Sequence, residues 1–252
     1  MYDIVLAIPA YNEERFIAGM LSSADRTLRS ITQRYKIVVV IVKSSDRTLE
    51  IARSVAAKRR CIAIIPNRER NARGLDLMYA FSKYKSKLYC YIDADLGKNI
   101  QMLKRMAMLT DRYDVVVGSK YTRHSRISRP VARHLMSVMY NTLLTLLFND
   151  GIRDHQCGFK LFNRRALSLV RRYSMEPHWT WDTEVMLICS YGGMKIHEMP
   201  ISWSDERHLD QIAIMRRVAS DTAAFSLPLL RMFYRFRVVR IIPKGKNAGP
   251  GR

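Results

Sequence analysis

The apolar positions of the chain fall into short continuous runs separated by stretches of helical spacing. Asp3–Pro9, Tyr35–Val42, Cys61–Ile65, Leu88–Ile92 and Asp114–Gly118 are nearly unbroken apolar or β-branched segments of strand length. That pattern marks strands covered on both faces. Between them, Glu13 to Arg29 carries Phe16, Met20, Leu21 and Leu28 at helical spacing, and Arg47–Lys58, Leu75–Lys83 and Ile100–Thr110 follow in the same manner. Ser45-Asp46 stands where it can cap the second of these helices. The alternation predicts an α/β fold with a mostly parallel sheet and helices on both faces. Ligands of such sheets bind beyond the carboxyl ends of the strands.

Two later segments break the rhythm. Leu135 to Asn149 is the longest uncharged stretch, short of the ~20 residues a membrane-spanning helix needs. It is apolar around most of its circumference, so it reads as a buried helix or one lying in a membrane surface, burial being the commoner outcome. Arg216 to Lys246 holds eight Lys/Arg against the single acid Asp221, interleaved with Phe225, Leu227, Leu230, Phe233 and Tyr234. A basic stretch with this much apolar surface predicts C-terminal basic amphipathic helices, packed or interfacial. The Gly/Pro/basic run Lys244 to Arg252 reads as a frayed tail.

Composition narrows the class. A chain of 252 residues with 48% hydrophobic content can bury one large α/β domain with an appendage. Cys61, Cys90, Cys157 and Cys189 have no CxxC spacing, which points to reduced thiols and a cytosolic setting. The chain opens directly on a strand, with no secretory leader pattern. With 43 Lys+Arg against 22 Asp+Glu the formal charge is +21, which predicts anionic partners. Nucleic acid is disfavoured: there are no zinc spacings, no RNP-like strand and no clear helix-turn-helix. An anionic membrane surface or a phosphorylated substrate remains.

The candidate chemistry begins at Asp93-Ala94-Asp95, directly after an apolar strand. Side chains at i and i+2 of an extended chain share a face, so both carboxylates can approach one hard cation. A lone pair of this kind is as often a local cap. Two more segments follow strands: Pro9-Ala10-Tyr11-Asn12-Glu13, with a ring and an acceptor for a flat ligand, and Ser44-Ser45-Asp46-Arg47-Thr48.

Together with Arg73-Gly74-Leu75, Gly118-Ser119-Lys120-Tyr121, Asp154-x-x-Cys157-Gly158-Phe159-Lys160-Leu161-Phe162 and Gly193-x-Lys195-Ile196-x-Glu198-x-Pro200-Ile201, these segments resemble the family 2 glycosyltransferases of GT-A fold. The resemblance covers roughly residues 3 to 207 and is closest to the dolichyl-phosphate (polyprenyl-phosphate) mannosyl- and glucosyltransferases. It implies a metal-dependent inverting transfer of a hexose from a nucleotide sugar, GDP-mannose or UDP-glucose, to a polyprenyl or dolichyl phosphate. It assigns Pro9, Tyr11, Glu13 and Asp46 to the nucleotide. Asp93, Ala94 and Asp95 would hold Mg2+ or Mn2+ on the diphosphate, Asp95 being counted with the catalytic group. Lys120, Arg133 and Ser137 would meet the acceptor phosphate, the two cations also serving catalysis, and Arg207 the donor diphosphate. Residues 1–118 would be the donor half, 119–210 the acceptor half, 211–243 the basic helices and 244–252 the tail. The protein would sit peripherally on the cytoplasmic face of a membrane, with a small membrane subunit as a further partner.

The acceptor stays open at this level. A lipid phosphate is already anionic and needs no strong base, whereas a sugar hydroxyl needs a carboxylate, for which Asp182 and Glu184 are the candidates. Trp179 and Trp181 beside them could stack on a sugar or pack in the core. A non-catalytic subunit of a glycosylation complex is the remaining alternative. Departures from the family pattern are Ile41-Val42-Lys43 in place of paired aspartates after the second strand, Gly97 in place of a Gln, and His208-Leu209-Asp210-Gln211 in place of Ser-Lys.

Overall fold

The computed structural model describes residues 1–68, 72–204 and 225–242. The chain alternates β1 (Tyr2–Ala10), α1 (Ile17–Arg29), β2 (Tyr35–Val42), α2 (Thr48–Ala57), β3 (Ile62–Arg68), α3 (Arg73–Lys83) and β4 (Ser86–Ile92). A 3-10 helix (Ala94–Met102) then runs into α4 (Leu103–Leu109), followed by β5 (Val115–Ser119), β6 (Arg126–Ser128), α5 (Val131–Phe148) and β7 (Phe159–Asn163). The remaining elements are α6 (Arg164–Tyr173), α7 (Trp181–Tyr191), β8 (Ile196–Pro200) and β9 (Ser202–Ser204). Residues 225–233 are helical and continue as a π-helix, Tyr234–Val239.

Seven strands form one sheet in the order β3-β2-β1-β4-β7-β5-β8, while β6 and β9 pair separately. The apolar runs explain the centre of this sheet: Val5 to Ile8, Ile37 to Val40 and Cys90 to Ile92 have no exposed surface, covered on both sides. β1 pairs in parallel with β2 and β4, and β5 with β8. β7 is antiparallel to both of its neighbours, β4 and β5. Because β7 comes from beyond residue 118 yet lies between β4 and β5, the segments 1–118 and 119–210 share one sheet. The chain order reverses between β1 and β4, the kind of switch point beyond whose strand ends ligands of such sheets bind.

Helix α5 falls between the two alternatives expected of it. Leu144 and Phe148 are buried, but Leu135, Met139 and Leu146 are exposed, so the uncharged run 135–149 is only half covered. The cover on one side is the C-terminal segment. Tyr140 meets Phe225 edge-on at 5.3 Å and Phe148 meets Phe233 at 6.3 Å, so the two helices run side by side in the same direction. The second helix repeats the pattern, burying Met232 and Phe236 while exposing Leu227, Leu230 and Tyr234. Among the described residues neither helix contains a carboxylate; Arg231 and Arg237 are exposed on the second, and Arg240 just past its end. Among the described residues no helix is long and apolar enough to cross a membrane. The expected structure of 211–224 and the 244–252 tail lies outside the described residues.

Candidate active site

The loops after β1 and β2 are sewn into one wall. Asn12 adopts left-handed backbone (φ 54°), a conformation Asn tolerates, and its side chain accepts from the Ser45 amide at 2.9 Å while donating to Ser45 Oγ at 3.2 Å. The Asp46 carboxylate accepts from the Glu14 amide (3.1 Å) and from the amide and hydroxyl of Thr48 (3.0 and 2.5 Å). Burial pushes the Asp46 carboxyl up, yet these bonds outweigh it and hold it below the usual range. Asp46 therefore braces the wall at the start of α2. Pro9, Tyr11 and Glu13 lie along the rim of the same wall, all partly buried.

The carboxylate pair stands where β4 ends. The Asp93 amide donates to the Gly158 carbonyl at 2.8 Å, which clips the strand end to the start of β7. A methyl group on Gly158 would lie 1.8 Å from Asp93 Oδ2, so only glycine leaves room for that carboxylate. Asp93 is partly enclosed and Asp95 is exposed. Burial pushes the Asp93 carboxyl up; Arg73 opposes this, but the nearby Asp95 and Asp182 charges add to it and the result is about 6. Trp203 of β9 donates its indole N–H to Asp95 Oδ2 at 3.3 Å. A cleft of about 420 Å³ lined by Lys98, Arg126, Ser128 and Trp203 opens alongside.

A buried charge network backs the pair. Arg73, at the start of α3, reaches Asp93 Oδ1 at 2.7 Å through Nη2 and donates from Nε to Asp182 Oδ2 at 2.7 Å. Its guanidinium lies 5.4 Å from the Tyr91 ring centre and 5.2 Å from that of Trp179. Gly74 makes this reach possible, since a Cβ there would come within 2.6 Å of Trp181. Lys160, with no exposed surface, donates to Asp182 Oδ1 (2.6 Å), Tyr91 Oη (2.9 Å) and the Cys157 carbonyl (2.8 Å). Tyr91 also donates to Asp182.

This network bears on the two carboxylates that were candidates for a base toward a hydroxyl acceptor. Asp182 is 2% exposed and both its oxygens are engaged; burial raises its carboxyl, but Arg73 and Lys160 outweigh that and hold it low. Glu184 has no exposure. It accepts from the Ser174 hydroxyl, from the amides of Met175 and Glu176, and from Arg235 of the C-terminal segment. Neither carboxylate can meet an acceptor hydroxyl. Trp181 is core, whereas Trp179 is half exposed at the rim, above Arg73.

Of the expected phosphate cations, only the Lys120 side chain lies among the described residues. Lys120 Nζ pairs with Asp154 at 2.8 Å, and the Lys120 amide donates to the same carboxylate at 2.8 Å. Burial lowers the ammonium's affinity for its proton, but the Asp154 charge more than reverses this. Ser137 lies in the second turn of α5, where its carbonyl accepts from Asn141. Arg133 belongs to the first turn of α5, but its side chain, like all of Arg207 and 208–211, lies outside the described residues. Arg73, Lys160 and Trp203 went unassigned in the sequence. Arg73-Gly74 and Lys160 stood in the resembling motifs, but their polar side-chain partners lie between 20 and 109 positions away in the chain.

The two carboxylates fit a hard divalent ion. Asp93 Oδ1 is buried and, among the described residues, is met only by the Arg73 guanidinium. No cluster of three or more metal-ligating side chains occurs among the described residues. An ion held by two carboxylates would keep positions for phosphate oxygens and water, the habit of Mg2+ and its analogues.

A strand-end carboxylate pair beside the switch point of a sheet with one antiparallel insertion frames the site. Residues 5–170 match the profile described as glycosyl transferase family 2, and the chain belongs to that family. Glycosyltransferase AglD of Haloferax volcanii is 31% identical over 205 residues, covering 80% of this chain and 33% of that protein. Dolichyl-phosphate beta-glucosyltransferase ALG5A of Trichomonas vaginalis is 28% identical over 211 residues, covering 79% of this chain and 65% of the relative. The chain thus spans between a third and just under two thirds of these two relatives. The Saccharomyces cerevisiae dolichyl-phosphate beta-glucosyltransferase is 25% identical, with 93% of this chain and 76% of that protein covered. Glucosyl-3-phosphoglycerate synthase from Mycobacterium tuberculosis, in complex with Mn2+, uridine diphosphate and phosphoglyceric acid, superposes with a TM-score of 0.69 at 14% identity, covering 92% of this chain and 78% of that one. Its complex with Mn2+ and UDP-glucose gives 0.65 at 16% identity, covering 89% and 78%. These structures establish the GT-A fold.

Proposed function

We propose that the chain transfers a hexose, glucose before mannose, from a nucleotide sugar to a polyprenyl phosphate at a membrane surface. The observation that carries the choice of acceptor is the enclosure of Asp182 and Glu184. With both candidate bases committed to internal partners, an acceptor that is already anionic suits the site. A phosphomonoester has its second pKa near ~6, so the residues need only position it and screen charge. Glucose is favoured because the dolichyl-phosphate relatives above are glucosyltransferases and a fold neighbour was crystallised with UDP-glucose.

Tyr11 and Glu13 would flank the base and ribose, with Asn12 and Asp46 fixing the wall. Asp93 and Asp95 would hold a divalent ion that neutralises charge on the departing diphosphate. Trp179 would cover the hexose. Lys120, Arg133 and Ser137 would receive the acceptor phosphate and Arg207 the donor diphosphate. Lys120 does so from a strand end pinned by Asp154, which fixes its position at the cost of sharing its charge. The paired faces of α5 and 225–239 would lie on an anionic bilayer at its cytoplasmic side, apolar groups inserted and arginines at the headgroups. A membrane subunit would dock beside them.

The test is transfer of labelled hexose from UDP-glucose, GDP-mannose and related donors into short polyprenyl phosphate, with Mn2+ or Mg2+ and with chelator. Metal-dependent label in the organic phase from one donor is expected. Transfer only to a hydroxyl acceptor, or to none, overturns the reading. In parallel, Leu146→Asp and Leu230→Asp are expected to cut sedimentation with anionic vesicles several-fold; unchanged sedimentation would remove the membrane seat.

A further inference from the structure

We infer that Arg73 is the resident counter-ion of Asp93, so that a divalent ion loads tightly only together with the donor diphosphate; this rests on the metal reading proposed above. The geometry is specific. Arg73 Nη2 stands 2.7 Å from Asp93 Oδ1, a buried oxygen whose one close polar contact among the described residues is this guanidinium. Arg73 cannot simply swing away. Its Nε is tied to Asp182, its guanidinium lies between the Tyr91 and Trp179 rings, and Gly74 seats its backbone against Trp181.

Charge arithmetic then sets the binding order. Asp182 and Lys160 cancel each other inside the core, at 2.6 Å. What faces an incoming divalent ion is therefore Asp93 and Asp95 less Arg73, a single net negative charge instead of two. A fixed cation a few ångströms from a divalent ion, in a partly enclosed site, opposes binding by well over tenfold. A nucleoside diphosphate reverses the balance, because its oxygens add both ligands and negative charge, and Arg73 then has a second anion to face. Arg73 thus protects the carboxylate pair from casual metal capture and makes metal affinity report on donor occupancy.

The test measures Mn2+ binding to the full-length protein by electron paramagnetic resonance, with and without UDP and without acceptor, so no turnover is needed. Wild-type protein is expected to bind Mn2+ at least tenfold more tightly with UDP than without. Arg73→Met, which removes the charge, is expected to bind Mn2+ at least tenfold more tightly than wild type in the absence of UDP. Arg73→Lys, which retains it, should stay near wild type. Equal wild-type affinity with and without UDP overturns the inference even if the Met variant fails to fold, and so does a Met variant no tighter than wild type. Absence of Mn2+ binding under both conditions would instead sink the metal reading itself.

Discussion

Gly158→Ala isolates the geometry of Asp93, the carboxylate proposed to hold the metal, from everything else in the fold. The glycine has no left-handed backbone requirement, so alanine adds only a methyl group, and that group would sit 1.8 Å from Asp93 Oδ2 and 2.4 Å from Cγ. Relief to an ordinary carbon–oxygen contact of about 3.3 Å displaces the carboxylate oxygen by roughly 1.5 Å. The backbone cannot yield instead, because the Gly158 carbonyl is held by the Asp93 amide and the next residues are paired with β4. A misplacement of ~1 Å in a reacting group costs on the order of 100-fold in rate, equivalent to about 2.7 kcal/mol of transition-state stabilisation. The overpacking itself costs about 1–3 kcal/mol of stability, which a domain of this size survives. The assay pairs a urea denaturation curve with Mn2+ titration in the presence of UDP and with transfer to polyprenyl phosphate. Folded protein with Mn2+ affinity reduced at least tenfold and transfer reduced about 100-fold is expected. As a control, a Cβ on Gly19 of α1 meets nothing within 4 Å, and Gly19→Ala should gain roughly 0.5–1 kcal/mol with unchanged transfer. Wild-type metal affinity and turnover in Gly158→Ala would refute the placement of Asp93 as a ligand.

Two further outcomes follow from the buried carboxylates. Glu184→Gln leaves the Arg235 guanidinium facing a neutral group and should cost about 3 kcal/mol in urea unfolding while turnover per folded molecule stays within twofold; a tenfold loss of turnover in folded protein would restore Glu184 to the chemistry. Burial raises the Asp25 carboxyl, but bonds from Tyr35 (2.5 Å), Cys61 (3.2 Å) and Arg29 (3.2 Å) outweigh it and hold it below the usual range. A depressed carboxyl contributes stability that is full above its unfolded value of about 3.9 and is lost as pH falls through the folded value. Asp25→Asn should therefore lose about 1–3 kcal/mol at pH 7, with the gap to wild type closing below pH ~4; a gap constant down to pH 3 would show that the ionised form is not what stabilises.

The strands were legible because burial on both faces leaves no polar alternation to misread: Tyr35–Val42 has the same limits in sequence and structure. Helix ends were less so. The helix expected from Ile100 begins as a 3-10 turn at Ala94, since the chain must first carry Asp93 and Asp95 out of the sheet. The insertion of β7 could not be read, because an apolar pentamer does not encode its direction. The uncharged run in α5 left burial and a membrane surface both open, because apolarity marks contact with something other than water without saying what. Asp182 and Glu184 looked like acid–base candidates for a related reason: local sequence shows a carboxylate but not the Arg73, Lys160 and Arg235 that neutralise it. The same blindness hid Arg73, whose partners become neighbours only when α3, β4 and α7 converge.

Arg235 also means that the C-terminal segment is no detachable anchor, since removing it would strand the Glu184 charge in the core. The order of the sheet has a consequence for synthesis. β4 leaves the ribosome with its outer edge open, and β5 follows with neither of its partners, β7 and β8, yet made. The edge of β4 is closed only when β7 is complete, about seventy residues later. At ~5–20 residues per second that wait lasts roughly 4–14 s. Throughout it the nascent chain displays an apolar, half-built sheet, the form most prone to wrong pairing. Slow translation across residues 93–163 would lengthen that window, so the yield of native protein becomes a matter of decoding speed and chaperone supply as well as of equilibrium stability.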